Sequence, residues 1–182
     1  VTTLIELESG TQLLYYFAGP VAATLLLSSS GGYGFIASVD NMISRQKAGK
    51  AFVAVGEGET LCRPSLVAGA QGKLLASKDG QTAPGAAAAQ SAMVAAATHV
   101  ACASTGGRIL TFEITELKTM EKGGRGLMLI DLEAKDTLAG AAAYTRSIRI
   151  AGIGRGGKEP DETLEIRSLN NARAARGRKG KA

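Results

Sequence analysis

Residues 30–53, SGGYGFIASVDNMISRQKAGKAFV, are matched without a gap by residues 105–128, TGGRILTFEITELKTMEKGGRGLM, at an offset of 75 residues. In each copy a small hydroxyl residue and a Gly-Gly pair precede an apolar-rich segment. A polar connector then leads to a basic, glycine-containing loop and a second apolar run. The Gly-Gly pair is typical of a tight turn, and the segment after it is typical of a buried strand. A unit that recurs along a chain predicts a repeat architecture whose neighbouring units pack together.

A weaker third copy follows towards the C-terminal end. Residues 145–151 alternate apolar and polar side chains, as a half-buried strand does. The pattern Glu-Ile-x-x-Leu at 165–169 repeats the pattern at 113–117, and the basic run 176–181 follows near the place where a basic glycine loop belongs. We therefore expect three related units.

The sequence predicts one all-β domain, and a repeated unit of about 45 residues has the length of a propeller blade. Glycine is abundant, with 24 residues, and would destabilise helices by about 1 kcal/mol at each interior position. Residues 86–97, rich in alanine, could form a short helix or a flexible low-complexity segment. Because the chain does not begin with Met, we expect an excised fragment. We divide it into a partial blade (1–20), a blade (21–67), an insertion (68–97), a blade (98–145), and a terminal blade with a basic tail (146–182).

Positive charge is concentrated at one end of the chain. Residues 146–182 hold ten Lys and Arg against four acids, whereas residues 1–145 hold eleven basic and twelve acidic residues. The net charge of +5 therefore comes entirely from the C-terminal fifth of the chain. Such an asymmetry indicates an anionic polymer or surface as partner.

The basic residues cluster on glycine-containing loops at corresponding places in the repeat. We call residues 45–50, 121–126 and 176–181 the first, second and third basic loops. Lys and Arg side chains on such loops can approach regularly spaced phosphates, and backbone N–H groups can assist. The alternative is that these are ordinary solvated turns. A single basic loop would favour that interpretation, but three at corresponding positions favour phosphate contacts. The candidate DNA contacts are Arg45, Lys47, Lys50, Lys122, Arg125, Arg176, Arg178 and Lys179, with Arg146 and Arg149 as weaker additions.

No catalytic, metal or cofactor site is indicated. Residues 152–157 fit the pattern G-x-G-x-x-G, but no amphipathic helix follows to receive a pyrophosphate. His99 is the single histidine, and the acidic residues form no convincing pair for acid–base chemistry. Cys62 and Cys102 lack metal-ligand spacing and are expected in the core of a reduced protein. With no apolar run of about 18 residues, membrane insertion is not expected either.

The segments Gly32-Tyr33-Gly34-Phe35-Ile36-Ala37 and Arg45-Gln46-Lys47-Ala48-Gly49-Lys50-Ala51 resemble the C-terminal domains of the A subunits of bacterial DNA topoisomerase IV and its relative gyrase. Residues 107–112 and 122–126 resemble the next blade of that family, and 164–167 with the third basic loop resemble its terminal blade. The resemblance implies a β-pinwheel, a propeller-like array of four-stranded blades of which this chain holds a partial ring. Its blades exchange strands, and its basic rim bends duplex DNA. Two features depart from the family pattern. The gyrase box Q-R-R-G-G-K-G is absent, so wrapping that introduces supercoils is not implied, and the insertion 68–97 could alter the rim.

The resemblance thus implies a non-catalytic accessory domain of an ATP-dependent type IIA topoisomerase. Such a domain presents DNA segments for strand passage in decatenation and supercoil relaxation. Expected partners are double-stranded DNA, the rest of the topoisomerase IV A subunit, and the B subunit through the holoenzyme, in the bacterial cytoplasm at the nucleoid. No cofactor is expected in this segment. The alternative is a propeller-type module that docks on the topoisomerase core or on another protein, with a basic tail that is merely solvated.

Overall fold

The computed structural model describes residue 10 and residues 12–70, 73–76, 93–94, 96–151 and 161–182, and β-strands dominate these residues, as predicted. The strands are β1 (Tyr15–Ala18), β2 (Thr24–Ser28), β3 (Tyr33–Ser38), β4 (Ser65–Ala70), β5 (Lys73–Ala76), β6 (Met93–Val94), β7 (His99–Ser104), β8 (Ile109–Glu113), β9 (Leu127–Met128), β10 (Leu138–Tyr144), β11 (Ser147–Ala151) and β12 (Asp161–Glu165). Single helical turns follow the second strand of each repeat: α1 (Val39–Met42), a 3₁₀ turn (Ile114–Glu116), and α2 (Ile166–Leu169), which continues as a 3₁₀ turn (Asn170–Ala172).

Each unit is built on a tight antiparallel hairpin. In unit 1 (residues 21–67), β2 pairs with β3, and in unit 2 (98–145) β7 pairs with β8 at corresponding residues. The Gly-Gly turns match as well, since the amide of Gly32 donates to the Ser29 carbonyl at 3.0 Å and that of Gly107 to the Ser104 carbonyl at 3.1 Å. The turn chemistry and the apolar runs beside it therefore give both copies the same local fold.

A third strand joins each hairpin from the far end of the unit. β4 pairs with β2, and β10 pairs with β7, so that each hairpin becomes a three-stranded sheet. Matching residues of the two hairpins are 75 positions apart. The Ser30 amide donates to the Thr60 carbonyl, and the Thr105 amide donates to the Thr137 carbonyl. These two acceptors are 77 positions apart. Two residues are thus added in unit 2 between its hairpin and its last turn.

A further extended segment on the edge of each hairpin comes from the following unit. β9, which belongs to unit 2 by sequence, pairs antiparallel with β3 of unit 1 at Gly34 and Leu127. In unit 2 the corresponding contact is an antiparallel bridge between Ile109 and Lys181, contributed by unit 3 (146–182). Neighbouring units therefore complete each other by exchanging an extended segment.

The main core lies between units 1 and 2. Leu26 and Ile36 of the first hairpin are buried in one cluster with Leu110 and Phe112 of the second. A smaller cluster joins units 2 and 3 through Ala101, Tyr144 and Leu169. Because aromatic residues are few, small and branched side chains fill these layers, and burial of each large one contributes about 1.5–3 kcal/mol.

The second apolar run of each copy contributes less strand than its composition suggests. In the first copy, residues 51–55, only Val53 makes a bridge, with Gly124. In the other copy the run continues to residue 132, but only β9 is a strand, and residues 164–167 contain the end of β12 and the start of α2. The alanine-rich residues 86–92 and the G-x-G-x-x-G residues 152–157 lie outside the described part of the chain. Within the expected insertion 68–97, β5 pairs with β1 and β6 pairs with the end of β4.

Candidate nucleic-acid interface

The second and third basic loops lie against edge strands in the same way. The amide of Met120 donates to the Ile36 carbonyl on β3 at 2.8 Å, and the amide of Ala174 donates to the Thr111 carbonyl on β8 at 3.0 Å. At the other end of each loop, Leu127 pairs with β3 and Lys181 with β8. We call the passage of each loop along its edge strand a crossing. Residues 119–127 and 173–181 therefore correspond at an offset of 54, which aligns Lys122 with Arg176 and Arg125 with Lys179.

A glycine in the left-handed region makes each crossing possible. Gly126 and Gly180 have φ values of +83° and +76°. A Cβ atom on Gly126 would lie 2.3 Å from the Gly34 carbonyl oxygen, and one on Gly180 would lie 2.8 Å from that of Ile109. The main chain of each loop thus passes directly over the edge strand, where a side chain does not fit.

Arg125, in the second basic loop, contacts unit 1 through its charge. Its Nη2 donates to Glu59 Oε1 at 2.7 Å, and its guanidinium carbon lies 4.2 Å from the centre of the Tyr33 ring. Glu59 Oε2 accepts bonds from the Gly56 amide at 3.1 Å and the Ser29 hydroxyl at 2.8 Å. The Gly56 amide, the Ser29 hydroxyl and Arg125 hold the pKa of the Glu59 carboxyl below its ordinary value.

Unit 2 has a carboxylate at the corresponding place, and no arginine of the described part of the chain pairs with it. Asp136 Oδ1 accepts bonds from the Thr105 hydroxyl and the Gly106 amide, each at 2.7 Å. Hydrogen bonds from Ser104 and Thr105 are the main reason that its pKa falls to about 2. Both acidic turns therefore clamp a Gly-Gly turn, and among the described residues a cation joins that of unit 1 alone.

In the third basic loop, Arg176 differs from its neighbours. Its side chain donates to the Glu116 carbonyl at 3.2 Å through Nε and to the Met128 carbonyl through Nη1, which fastens the loop to unit 2. Arg178 and Lys179 are exposed. The structure thus separates one anchoring cation from two that face solvent.

The first basic loop has a different setting. Arg45, Lys47 and Lys50 are exposed, and Lys50 Nζ donates to the Asn41 carbonyl and lies 5.3 Å from the centre of the Phe52 ring. Within the described residues no edge strand pairs with this loop as β3 and β8 pair with the other two. Within the described ranges, the structure thus places the second and third basic loops in equivalent positions.

The two weaker candidates lie beside the third hairpin. Arg146 is exposed, and its carbonyl accepts the Ile166 amide at 2.7 Å. Arg149, on β11, pairs through two nitrogens with the Asp161 carboxylate on β12. That hydrogen bonding raises the pKa of Arg149 and lowers that of Asp161. The charge of Arg149 is therefore already matched by a carboxylate.

The residues of the site that the sequence did not predict are mainly the acidic partners of its arginines. Glu59 contacts Arg125 across 66 positions of sequence, a separation at which no local pattern could indicate the pair. Arg173, beside the third basic loop, pairs with Glu113, and Arg108 pairs with Glu133 at 2.7 Å. The one available signal was the recurrence of an acid in the turn before the last strand of each unit, at Glu59 and Asp136.

The rest of the described residues offer no competing chemistry. Both cysteines are buried, and burial raises the pKa of each thiol. No group of three or more His, Cys, Asp and Glu side chains in these ranges is arranged to hold a metal ion. The described helices are each too short to cross a lipid bilayer.

Comparison with known proteins gives consistent matches. Residues 98–144 match the family described as DNA gyrase C-terminal domain, beta-propeller. The A subunit of DNA topoisomerase 4 from Neisseria gonorrhoeae is 32% identical over 182 residues, which is all of this chain and 20% of that protein. The corresponding protein of Haemophilus influenzae is 26% identical over 99% of this chain and 21% of its own length. The chain thus spans about a fifth of the length of these relatives.

Solved structures show the same architecture. The Escherichia coli ParC C-terminal domain matches 99% of this chain with a TM-score of 0.70 at 20% identity, and 63% of that domain is covered. A DNA gyrase A C-terminal domain matches 99% of this chain with a TM-score of 0.63 at 14% identity, and half of that domain is covered. These matches confirm the predicted propeller-like β-pinwheel fold. Together with the sequence relatives, they show that the chain belongs to the family of C-terminal domains found in the A subunits of gyrase and topoisomerase IV.

Proposed function

We propose that this domain binds duplex DNA through the phosphate backbone, with the exposed cations of the basic loops as contacts. The observation that carries the proposal is the matched docking of the second and third basic loops on β3 and β8. This docking fixes the main chain of each loop and leaves Lys122, Arg178 and Lys179 exposed. Arg45, Lys47 and Lys50 extend the set on the first basic loop.

The chemistry of these residues suits sequence-independent binding. Lys and Arg neutralise phosphates and release condensed counterions, which makes affinity depend steeply on salt. The chain has four Phe, four Tyr and no Trp, too few aromatic residues for a base-stacking platform on single strands. Among the candidate cations, Arg125 and Arg149 already pair with carboxylates, and Arg176 and Lys50 donate to backbone carbonyls, so these four contribute less.

Within a longer topoisomerase IV polypeptide, such a domain would present or orient DNA segments for strand passage, in decatenation and in supercoil relaxation. We place the breakage and ATP chemistry outside residues 1–182. The partners are then double-stranded DNA, the rest of the A subunit, and the B subunit through the holoenzyme, in the bacterial cytoplasm at the nucleoid. We also propose that the chain divides into a partial blade (1–20), blades over 21–67, 98–145 and 146–182, and an insertion (68–97). These bounds come from the repeat in the sequence.

The test is duplex binding across a salt series. Replacing Lys122, Arg178 and Lys179 by Ala should flatten the slope of log K against log salt by about 0.9 for each phosphate contact that is lost. A control with the same change in net charge replaces Arg108, Arg167 and Arg173, two of which pair with acids, and should change the slope less. Equal slopes in wild type and the first variant would exclude these contacts and favour docking on a protein partner instead.

A further inference from the structure

The ion pair between Glu59 and Arg125 joins two units, and its partners are unequally exposed. The Arg125 side chain is 49% exposed, whereas that of Glu59 is 15% exposed. Glu59 is fixed by the Ser29 hydroxyl and the Gly56 amide. Arg125 stacks on Tyr33 and reaches Glu59 with a single nitrogen, Nη2. The carboxylate is thus the immobile partner, and the guanidinium is the one that faces solvent.

We propose that Glu59 competes with DNA phosphate for Arg125, so that unit 1 restrains a phosphate contact of the second basic loop. This inference rests on the proposed function, since it assumes that phosphates approach the loop. A phosphate accepts the same planar, two-nitrogen contact from arginine that a carboxylate does. When duplex DNA reaches the loop, the guanidinium turns from Glu59 to phosphate, and Glu59 keeps its bonds to Ser29 and Gly56.

The comparison with unit 2 supports a specific role for the length of the acid. Asp136 clamps the Gly-Gly turn of unit 2 with a side chain one methylene shorter than that of Glu59. Lys179 corresponds to Arg125 at the next crossing, and among the described residues no ion pair joins it to Asp136. An acid can therefore hold the Gly-Gly turn without pairing with the basic loop. The restraint on the loop comes from the Glu59–Arg125 ion pair itself.

Glu59→Asp is the sharpest variant, because it retains the net charge and an acceptor for the turn but withdraws the carboxylate from Arg125. An exposed ion pair contributes about 0.2–1 kcal/mol. Its removal should therefore tighten duplex binding about 1.4- to fivefold at low salt, with the salt slope little changed, because the wild-type complex already makes the phosphate contact. Glu57→Asp, at an exposed position of the same turn, is the matched control and should leave the affinity unchanged.

A second variant and a double-mutant cycle separate competition from folding effects. Glu59→Gln should also tighten binding, beyond the effect of Glu57→Gln, which removes the same charge. In an Arg125→Ala background, Glu59→Asp should have no effect, and Glu59→Gln should tighten binding no more than Glu57→Gln does. Thermal melting of each variant identifies any that is destabilised, and binding is compared below its transition. Unchanged or weaker binding by Glu59→Asp, with wild type still binding in a salt-dependent manner, would overturn the competition; loss of salt-dependent binding by wild type would overturn the proposed function itself.

Discussion

Gly126 and Gly180 are single residues on which the crossing of two chain segments depends. Each has a positive φ, and each lies so close to a carbonyl oxygen of the underlying strand that a methyl group meets main chain. The left-handed conformation alone destabilises other residues by about 1–2 kcal/mol. At these two positions steric overlap with a backbone atom adds to that penalty.

Gly126→Ala should therefore lower the free energy of unfolding by at least about 2 kcal/mol. Urea denaturation of the domain measures this change. Gly107→Ala is the matched control, because Gly107 has a φ of +82° but, its chain neighbours apart, no described residue has an atom within 4 Å of where a Cβ would lie. The control should lose about 1 kcal/mol. Equal losses in the two variants would show that the crossing over β3 is not the source of the constraint.

Asp136 predicts a pH dependence in the acid range. Its pKa lies at about 2, below the ordinary value of 3.8, so the carboxylate stabilises the fold fully above pH 3.8. That contribution disappears as pH falls through the folded pKa. The melting temperature of wild type should consequently fall more steeply between pH 4 and pH 2 than that of Asp136→Asn. Parallel profiles would show that the bonds to Ser104, Thr105 and Gly106 add no charge-dependent stability.

The exchanged segments are the elements that distinguish this fold from a row of separate hairpins. Residues 173–181 cover the outer edge of β8, where the Ile109 amide donates to the Lys181 carbonyl at 2.7 Å. The adjacent amide of Leu110 points the other way, towards β7, because amides alternate along a strand. An uncovered edge would present bare backbone groups for aggregation.

A chain that ends at Asn171 should accordingly lose protection on one side of β8. Hydrogen exchange at the Ile109 amide should approach the rate of an exposed strand edge, while the Leu110 amide, paired within the hairpin, stays protected. Residue-resolved exchange by NMR distinguishes the two neighbours within one sample. Uniform loss of protection along β8 would mean instead that the segment holds the whole hairpin together.

The sequence predicted those elements that carry a local signal. The Gly-Gly turns and the apolar runs beside them located β2 with β3 and β7 with β8 closely. β4 and β10 were not predicted, because SLVAGA and LAGAAAY consist mainly of small residues without a polar alternation. The repeat also indicated the place of the third basic loop, but neither repeat nor composition could show that Arg176 bonds to the Glu116 and Met128 carbonyls, since that role arises from tertiary contact.

In the whole molecule, the hydrophobic cores and the net positive charge lie in different parts of the chain. The cores join neighbouring units along the chain, whereas the net positive charge belongs to the final segment. Residues 172–182 carry five Lys and Arg and no acid, so a chain that ends at Asn171 changes from a net charge of +5 to zero. The segment that covers β8 is thus also the main source of the electrostatic field.

The same truncation tests how the charge is used. If phosphates contact both remaining basic loops and the tail, the shortened chain should bind duplex DNA with a shallower but nonzero salt slope. A filter-binding or fluorescence titration from low to moderate salt measures the slope for both lengths. A slope that is unchanged by the truncation would place all the contacts on the first and second basic loops.

The exchange of segments also imposes an order on biosynthesis. β3 is complete by Ser38, yet the strand that covers its edge, β9, is translated only at Leu127–Met128. About ninety residues must be added, at roughly 5–20 residues per second, before β9 is available. During that time the edge of β3 in the nascent unit 1 lacks its β9 partner. A shorter delay, of about seventy residues, recurs for β8 until Lys181 is translated. Each blade matures only when the next has been made, so a stalled or prematurely terminated chain leaves its last hairpin exposed.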